Sequence, residues 1–193
     1  MLTDIKLNKL GQPVIQLTQA DYDNCVEIVD KQILDGKQRN FRNSKYDMNP
    51  QETYDVSFCG ALGEQTVANY FKYDYSYLGY NADRSDVLGY EVRATYHENG
   101  RLLTHPPEPR AHDFKGDKPG RYILVTIKRH IYEATIRGYS TLTRCNERQS
   151  NWDSSLRWPC FAMPQSQLWP IEMLPATNEL INHKFRSDNA QYL

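Results

Sequence analysis

Residues 86–96 read DVLGYEVRATY, and the spacing of charged and apolar side chains in this stretch predicts a β-strand with two different faces. Alternate side chains of a strand share a face, so Glu91 and Arg93 lie together on one side. Val92 and Ala94 lie on the other side. The strand therefore presents an acidic and a basic side chain next to each other on one surface.

The segment before this strand, CGALGEQTVANYFKY at residues 59–73, predicts a helix with one unusual residue. At 100° per residue, its apolar side chains fall within about 60° of Glu64. A carboxylate that faces a core is costly unless it is paired, protonated or bound to a cation, and such exceptions concentrate at functional sites. We interpret Glu64 as a site residue; an inward glutamate paired with a buried arginine is the alternative.

Two aspartates lie just upstream of the strand and are candidates to join Glu64 and Glu91 in one site. Four residues separate Asp86 from Glu91 and seven separate Asp83 from it, so both aspartates stay open. Carboxylate oxygens are the ligands that Mg²⁺ and Mn²⁺ prefer. Such an ion stabilises charge on a phosphate and lowers the pKa of an attacking water. Arg93, on the face of Glu91, is placed to neutralise the developing phosphate charge.

The rest of the chain predicts an α/β (α+β) fold with a buried central strand. The apolar run RYILVTIK at residues 121–128 is the best central strand, with a neighbour at 131–139. Thr18 and Gly36 mark the ends of an amphipathic helix at about 18–35. A short strand at 160–164 and a turn at 166–174 follow. Irregular structure is expected at the remaining polar segments, residues 1–17, 37–57, 97–120 and 140–158.

Length and composition predict one domain over residues 1–193, with a core at about 18–174 and a mobile tail from residue 175. No apolar run is long enough to cross a membrane, and the N-terminus lacks a signal peptide pattern. The four cysteines form no CxxC pair, which fits reduced thiols in the cytoplasm. The five histidines form no HExxH or HxH motif. A histidine or cysteine metal site is therefore not expected.

A net charge of −1 conceals two segments of opposite charge. Residues 47–98 hold nine acidic and three basic side chains, whereas residues 99–148 hold five acidic and ten basic ones. The first segment carries the proposed metal ligands, and the second could face phosphate. Basic side chains interleaved with aromatics can bind a nucleic-acid backbone, although the pattern of residues 37–57 favours a solvated loop. The candidate nucleic-acid contacts are Lys37, Arg39, Arg42, Lys45, Lys128 and Arg129.

The helix pair Gly63-Glu64 and the segment from Asp86 to Arg93 together resemble the PD-(D/E)xK nuclease superfamily. Three later stretches look similar to small, phage-type members: HENGRLL (97–103), GRYILVTIK (120–128) and MPQSQLWPIEML (163–174). The resemblance implies a restriction-endonuclease-like core, with a central mixed β-sheet flanked by helices, and Mg²⁺- or Mn²⁺-dependent hydrolysis of DNA in a bacterial or phage-infected cytoplasm. The resemblance also implies that Asp86 and Glu91 ligate the metal, that Glu64 completes the site and that Arg93 takes the position of the family's lysine.

One departure from the family pattern supports a second hypothesis. Arg93 stands where the family has lysine, and an arginine cannot give up its proton at working pH. The chain is then a degenerate nuclease fold that binds nucleic acid or a host protein without turnover. A third hypothesis makes it an interaction or structural protein whose carboxylates form surface ion pairs. Many nucleases of this size cut both strands as dimers, so a homodimer is compatible with the first hypothesis.

Overall fold

A computed structural model describes residues 5–38, 48–76, 86–104, 120–147, 151–156 and 160–176. These residues form a mixed α/β fold with a five-stranded sheet, a three-stranded sheet and three α-helices. Within the same ranges, no helix combines the length and the apolar character needed to cross a membrane. The predicted mixed sheet flanked by helices is confirmed at this level. Asp83, the loop residues 39–47 and the tail from residue 177 lie outside the described residues.

The larger sheet is mixed and has the strand order β1-β2-β6-β5-β3. Strand β5, the predicted central strand, pairs in parallel with β3 and antiparallel with β6, and β6 is the middle strand of the five. Six consecutive side chains of β5 are buried because both faces of the sheet are covered. Within the described chain β3 is an edge strand, so its polar side chains remain partly accessible. The strands are β1 Lys6–Leu7, β2 Pro13–Gln16, β3 Glu91–Thr95, β5 Arg121–Lys128 and β6 Glu133–Thr141.

Two long helices, α1 (Gln19–Gln38) and α2 (Pro50–Phe71), cover one face of this sheet. Their apolar side chains form the main core together with Val92, Ile123 and Val125. A smaller core on the opposite face joins Tyr122 and Leu124 to the second sheet and to helix α3 (Leu142–Glu147). The second sheet has the order β4-β8-β7, formed by Leu102–Thr104, Cys160–Met163 and Trp152–Asp153.

The predicted helix at 18–35 is present, but it continues beyond its predicted end. Thr18 and Asp21 form the expected reciprocal cap: the Thr18 N–H donates to the Asp21 carboxylate (2.7 Å), and the Asp21 N–H donates to the Thr18 hydroxyl (3.1 Å). Helix α1 passes through Gly36 and ends at Gln38. A single glycine costs a helix only about 1 kcal/mol, so Gly36 alone does not end it.

Helix α2 begins at Pro50, nine residues before its predicted start at Cys59. The prediction of a loop at residues 37–57 is therefore wrong for residues 50–57. Asn49 caps the helix by accepting from the Glu52 N–H, and Glu52 accepts in return from the Asn49 N–H, both at 2.9 Å. Pro50 occupies the first turn, where its missing N–H costs nothing. The local signal was therefore present as the sequence Asn-Pro-Gln-Glu. The polar surroundings and the absence of a periodic apolar pattern concealed it.

Three other predicted irregular segments contain regular structure. Residues 1–17 were expected to lack a pattern, yet β1 and β2 form a hairpin whose second strand pairs with β6. Residues 140–158 contain α3 and β7, and residues 97–120 contain β4. These strands are two to four residues long. Their pairing depends on distant partners, so local periodicity carries little signal for them. The strands predicted at 121–128, 131–139 and 160–164 are confirmed, the second with its start at Glu133.

The approach of α2 to β3 generates a test. A Cβ added at Gly63 would lie 2.5 Å from the Ala94 Cβ, whereas one added at Gly60 on the same helix meets nothing within 4 Å. Gly63→Ala is therefore expected to lower the free energy of unfolding by about 1–3 kcal/mol through overpacking. Gly60→Ala, the matched control, is expected to raise it by up to about 1 kcal/mol. Urea denaturation measures both, and equal effects would contradict the close packing.

Candidate active site

The strand predicted at residues 86–96 is present only as β3, Glu91–Thr95, because residues 87–90 form a tight turn that places the two strand-region acids opposite each other. Val87 and Tyr90 exchange both backbone hydrogen bonds, at 3.1 and 2.9 Å. Leu88 and Gly89 between them have φ of 50° and 83°, as a two-residue type I′ turn requires. Four intervening residues are thus enough to bring Asp86 and Glu91 together, because the hairpin that joins them needs only two turn residues. Leu88 is strained in this conformation, which L-residues rarely adopt.

Asp86 and Glu91 flank this turn, and the Arg93 guanidinium approaches both. Arg93 Nη1 lies 3.8 Å from Asp86 Oδ2 and 3.7 Å from Glu91 Oε2. The same Asp86 oxygen accepts a hydrogen bond from the Val92 N–H at 2.7 Å, so the strand backbone fixes its position. The three side chains are between 20% and 35% exposed. A ligand can therefore reach them from solvent.

Glu64 reaches the same place from helix α2, as the sequence predicted. Its carboxylate accepts a hydrogen bond of 2.6 Å from the Tyr75 hydroxyl. Burial raises the pKa of Glu64 to about 8, and the negative charges of Asp86 and Glu91 add to the rise. The hydroxyl of Tyr75 and the charge of Arg93 oppose it only in part. The carboxylates are thus close enough to repel one another.

A second hydrogen-bonded group holds Tyr75 over Glu64. Asn24 on α1 donates through its Nδ2 to the Tyr75 carbonyl (2.9 Å) and to Gln65 Oε1 (2.8 Å). Burial, followed by the charge of Glu64, raises the pKa of the Tyr75 phenol far above its usual range. Burial also raises the pKa of the nearby Cys25 thiol to about 12, with smaller contributions from Asp21 and Glu64. Tyr75 is therefore a neutral donor, and Cys25 is not a nucleophile.

The carboxylates of Glu64, Asp86 and Glu91 are suited to a hard cation, although they do not yet surround a common point. Among the side chains that the structure describes, no three acidic, histidine or cysteine groups already surround one point closely enough to hold an ion. Arg93 Nη1 lies within 4.0 Å of both Asp86 and Glu91 and so stands where an ion shared by them would be. Carboxylate oxygens facing solvent with excess negative charge match the preference of Mg²⁺. Asp83, the alternative ligand, lies outside the described ranges.

The candidate DNA contacts at the end of β5 lie far from these acids. Glu91 is level with Tyr122 at the start of β5, and Lys128 is six residues further along, which is about 20 Å at ~3.3 Å per residue. Lys128 pairs with Glu133 at 2.6 Å, and Arg129 pairs with Asp55 at 3.4 Å. The structure thus does not bring these two bases to the acid cluster.

The remaining candidate contacts are at or beyond the end of α1. Lys37 belongs to the last turn of that helix, and Arg39, Arg42 and Lys45 lie outside the described residues. Sequence reasoning missed Tyr75 and Asn24, since neither belongs to a recognisable motif. Only their contact with Glu64 and with each other across three chain segments identifies them.

Comparison with known proteins found no matching family model, no matching curated protein and no matching solved structure.

The raised pKa of Glu64 predicts a pH-dependent stability in the absence of metal. Because the folded pKa exceeds the ordinary value of 4.5, stability is full below about pH 4.5 and falls as pH rises through about 8. Glu64→Gln keeps an acceptor for Tyr75 but cannot ionise. In EDTA we expect it to stabilise the protein by at least about 2 kcal/mol at about pH 8.5, where Glu64 is ionised, and to change little at about pH 4, where Glu64 is protonated in both the folded and the unfolded state.

Thermal unfolding at both pH values measures this difference, and ~2 kcal/mol corresponds to roughly 4–8 °C for a chain of this size. Glu147, exposed at the end of α3, offers a matched control. Glu147→Gln should shift the melting temperature equally at the two pH values. A Glu64→Gln variant that behaves in the same way would contradict the raised pKa of Glu64 in the folded protein.

Proposed function

We propose that this protein is a divalent-metal-dependent nuclease that hydrolyses DNA phosphodiester bonds. One observation carries the proposal: Glu64, Asp86 and Glu91 converge beside Arg93 at an accessible edge of the sheet. With all four groups ionised, three carboxylates and one guanidinium have a formal charge of −2. One divalent cation balances this charge, and the combination suits a reaction in which negative charge develops on a phosphate.

The side chains divide into those that would hold an ion and those that act on the substrate. Asp86 and Glu91 would be the primary ligands, because the turn and the Val92 N–H hold them in place. Glu64 would complete the site as it loses its proton. The ion would supply a lowered pKa for an attacking water and charge neutralisation at the scissile phosphate. Arg93 binds a phosphate oxygen as a permanently charged donor and cannot act as a general base.

The arrangement of the elements supports a restriction-endonuclease-like core. The helix that carries Glu64 precedes an edge strand with the pattern Glu-x-Arg, and that strand is parallel to a fully buried one. Helices cover one face of the sheet. DNA as the substrate, Mg²⁺ or Mn²⁺ as the ion and the cytoplasm as the compartment follow from the resemblance of these motifs to the PD-(D/E)xK superfamily. A homodimer that cuts both strands belongs to the same proposal.

Substitution of the two strand-region acids tests the proposal. We expect the protein to cleave DNA with Mg²⁺ or Mn²⁺ and not in EDTA. Asp86→Asn and Glu91→Gln should each lower kcat/KM by about 100-fold or more, since each removes a charge that the reaction requires. Glu133→Gln at the far end of the sheet is the matched control and should retain full activity. A folded protein that cleaves no form of DNA with either metal would refute the function.

One observation favours a second candidate, a degenerate nuclease module that binds DNA or a host protein without turnover. The Arg93 guanidinium already neutralises Asp86 and Glu91 from within 4 Å, so an ion has to compete with an internal cation. Arg93 also lies over the ring of Tyr122, with 5.1 Å between the guanidinium carbon and the ring centroid. This contact adds a further cost to moving the arginine.

The variants Arg93→Lys and Arg93→Gln separate the two candidates. A lysine is a compact charge on a flexible stem and can lose a proton when buried. If the module is degenerate, the wild type binds DNA in a salt-sensitive manner without cleavage, and Arg93→Lys creates or raises metal-dependent cleavage. If the wild type is a nuclease, Arg93→Gln lowers its activity and Arg93→Lys retains most of it. Cleavage assays with a pH series measure both outcomes.

A further inference from the structure

A cavity adjoins the acid cluster on the side of β3 that faces the second sheet. Its volume is about 360 Å³, and Arg93 and Thr95 of β3 form one wall. Leu103 of β4 and Leu156 form the opposite wall, with the turn at residues 97–100 at one end. We call this space the β3–β4 cavity. It is at the lower limit of ligand pockets, which measure about 300–1,000 Å³, so it has room for one small organic group.

The lining of the β3–β4 cavity combines apolar and cationic side chains. Leu103, Leu124 and Leu156 are the apolar ones, and Arg93 and Arg101 are the cationic ones. A nucleotide has the complementary chemistry, because its base and deoxyribose present flat apolar surfaces and its phosphate is an anion. Arginine planes stack on bases as well as binding phosphate. The cavity thus offers apolar surface for the base and sugar and positive charge for the phosphate.

Hydrogen bonds within the protein fix two parts of the cavity lining, the turn at residues 97–100 and Arg101, independently of a ligand. Gln165 Nε2 donates to the carbonyls of Glu98 (2.8 Å) and Gly100 (2.9 Å), which fixes the turn at 97–100. Arg101 Nη2 donates to Asp153 Oδ2 at 2.6 Å. Hydrogen bonds from Ser155 and Arg101 lower the pKa of Asp153 to about 2, so this pairing persists at any working pH. Little ordering cost therefore remains for binding.

Arg93 links the cavity to the acids, because it lines the cavity and also approaches Asp86 and Glu91 within 4 Å. A nucleotide in the cavity would have its neighbouring phosphate at Asp86 and Glu91. A base in a duplex is paired and stacked, and extruding it costs a few kcal/mol, whereas a single strand presents free bases. We propose that the β3–β4 cavity binds one unpaired nucleotide next to the scissile phosphate, and that the substrate is single-stranded DNA or a single-stranded end.

This inference rests on the proposed function, but its test needs no cleavage. Binding is measured in EDTA by fluorescence anisotropy, with an oligothymidylate of about 12 nucleotides and a blunt hairpin duplex of the same length. We expect the single strand to bind at least about tenfold more tightly than the duplex. Thymidine monophosphate should compete more weakly than the oligonucleotide, since it lacks the neighbouring phosphates. A duplex that binds as tightly, or a free nucleotide that binds more tightly, would overturn the inference.

Two variants locate the binding, each with a matched control on α1. Arg101→Gln removes a paired surface charge, and we expect it to weaken single-strand binding about tenfold. Lys31→Gln removes an equivalent charge from the Lys31–Glu27 pair and should have less than a twofold effect. Leu103→Trp fills the cavity from its exposed side and should abolish the preference for single strands. Leu34→Trp, at a similarly exposed leucine, should retain it.

The outcomes for the cavity and for the nuclease function are separable. Circular dichroism and thermal unfolding confirm that each variant is folded before binding is compared. If Arg101→Gln and Leu103→Trp bind like their controls while the wild type still cleaves DNA, the cavity inference fails and the function stands. If the wild type binds single strands through the cavity but cleaves nothing, the nuclease function fails and the nucleotide site stands.

Discussion

The contact between Gly63 and Ala94 sets the geometry on which the rest of the site depends. A Cβ at residue 63 would approach the Ala94 Cβ to 2.5 Å, so only glycine lets α2 lie this close to β3. Glu64 is the next residue along the helix, and its carboxylate therefore reaches the end of the strand. There it meets Asp86 and Glu91, whose own separation is set by the two-residue turn at Leu88 and Gly89.

The cost of bringing three carboxylates together is offset in three ways within the chain. Tyr75 donates a hydrogen bond to Glu64, and the Val92 N–H donates one to Asp86. Arg93 contributes the positive charge. The rise in the pKa of Glu64 shows that these compensations are incomplete. Burial contributes most to this rise, and repulsion from Asp86 and Glu91 adds to it; carboxylates with perturbed pKa values of this kind cluster at functional sites.

The polar face of β3 connects this charged cluster with the second sheet. Arg93 takes part in both, since it contacts two acids and also lines the β3–β4 cavity. The bases predicted to bind nucleic acid at the end of β5 are instead about 20 Å away by register. In the part of the chain that the structure describes, Lys128 and Arg129 therefore do not form a basic wall beside the acids. Arg93 approaches two of the acids, and Arg101 lines the cavity that Arg93 also lines.

Local chemistry was sufficient to predict the elements with strong patterns and to select the four charged residues of the candidate site. The apolar run of β5, the cap at Thr18 and the inward position of Glu64 are all properties of short segments, so the amino-acid sequence by itself determined them. The short strands β1, β2, β4 and β7 and the partners Tyr75 and Asn24 depend on residues far along the chain. Only the tertiary structure decided these, because a two-residue strand or a single hydrogen bond is stable only where packing supplies its partner.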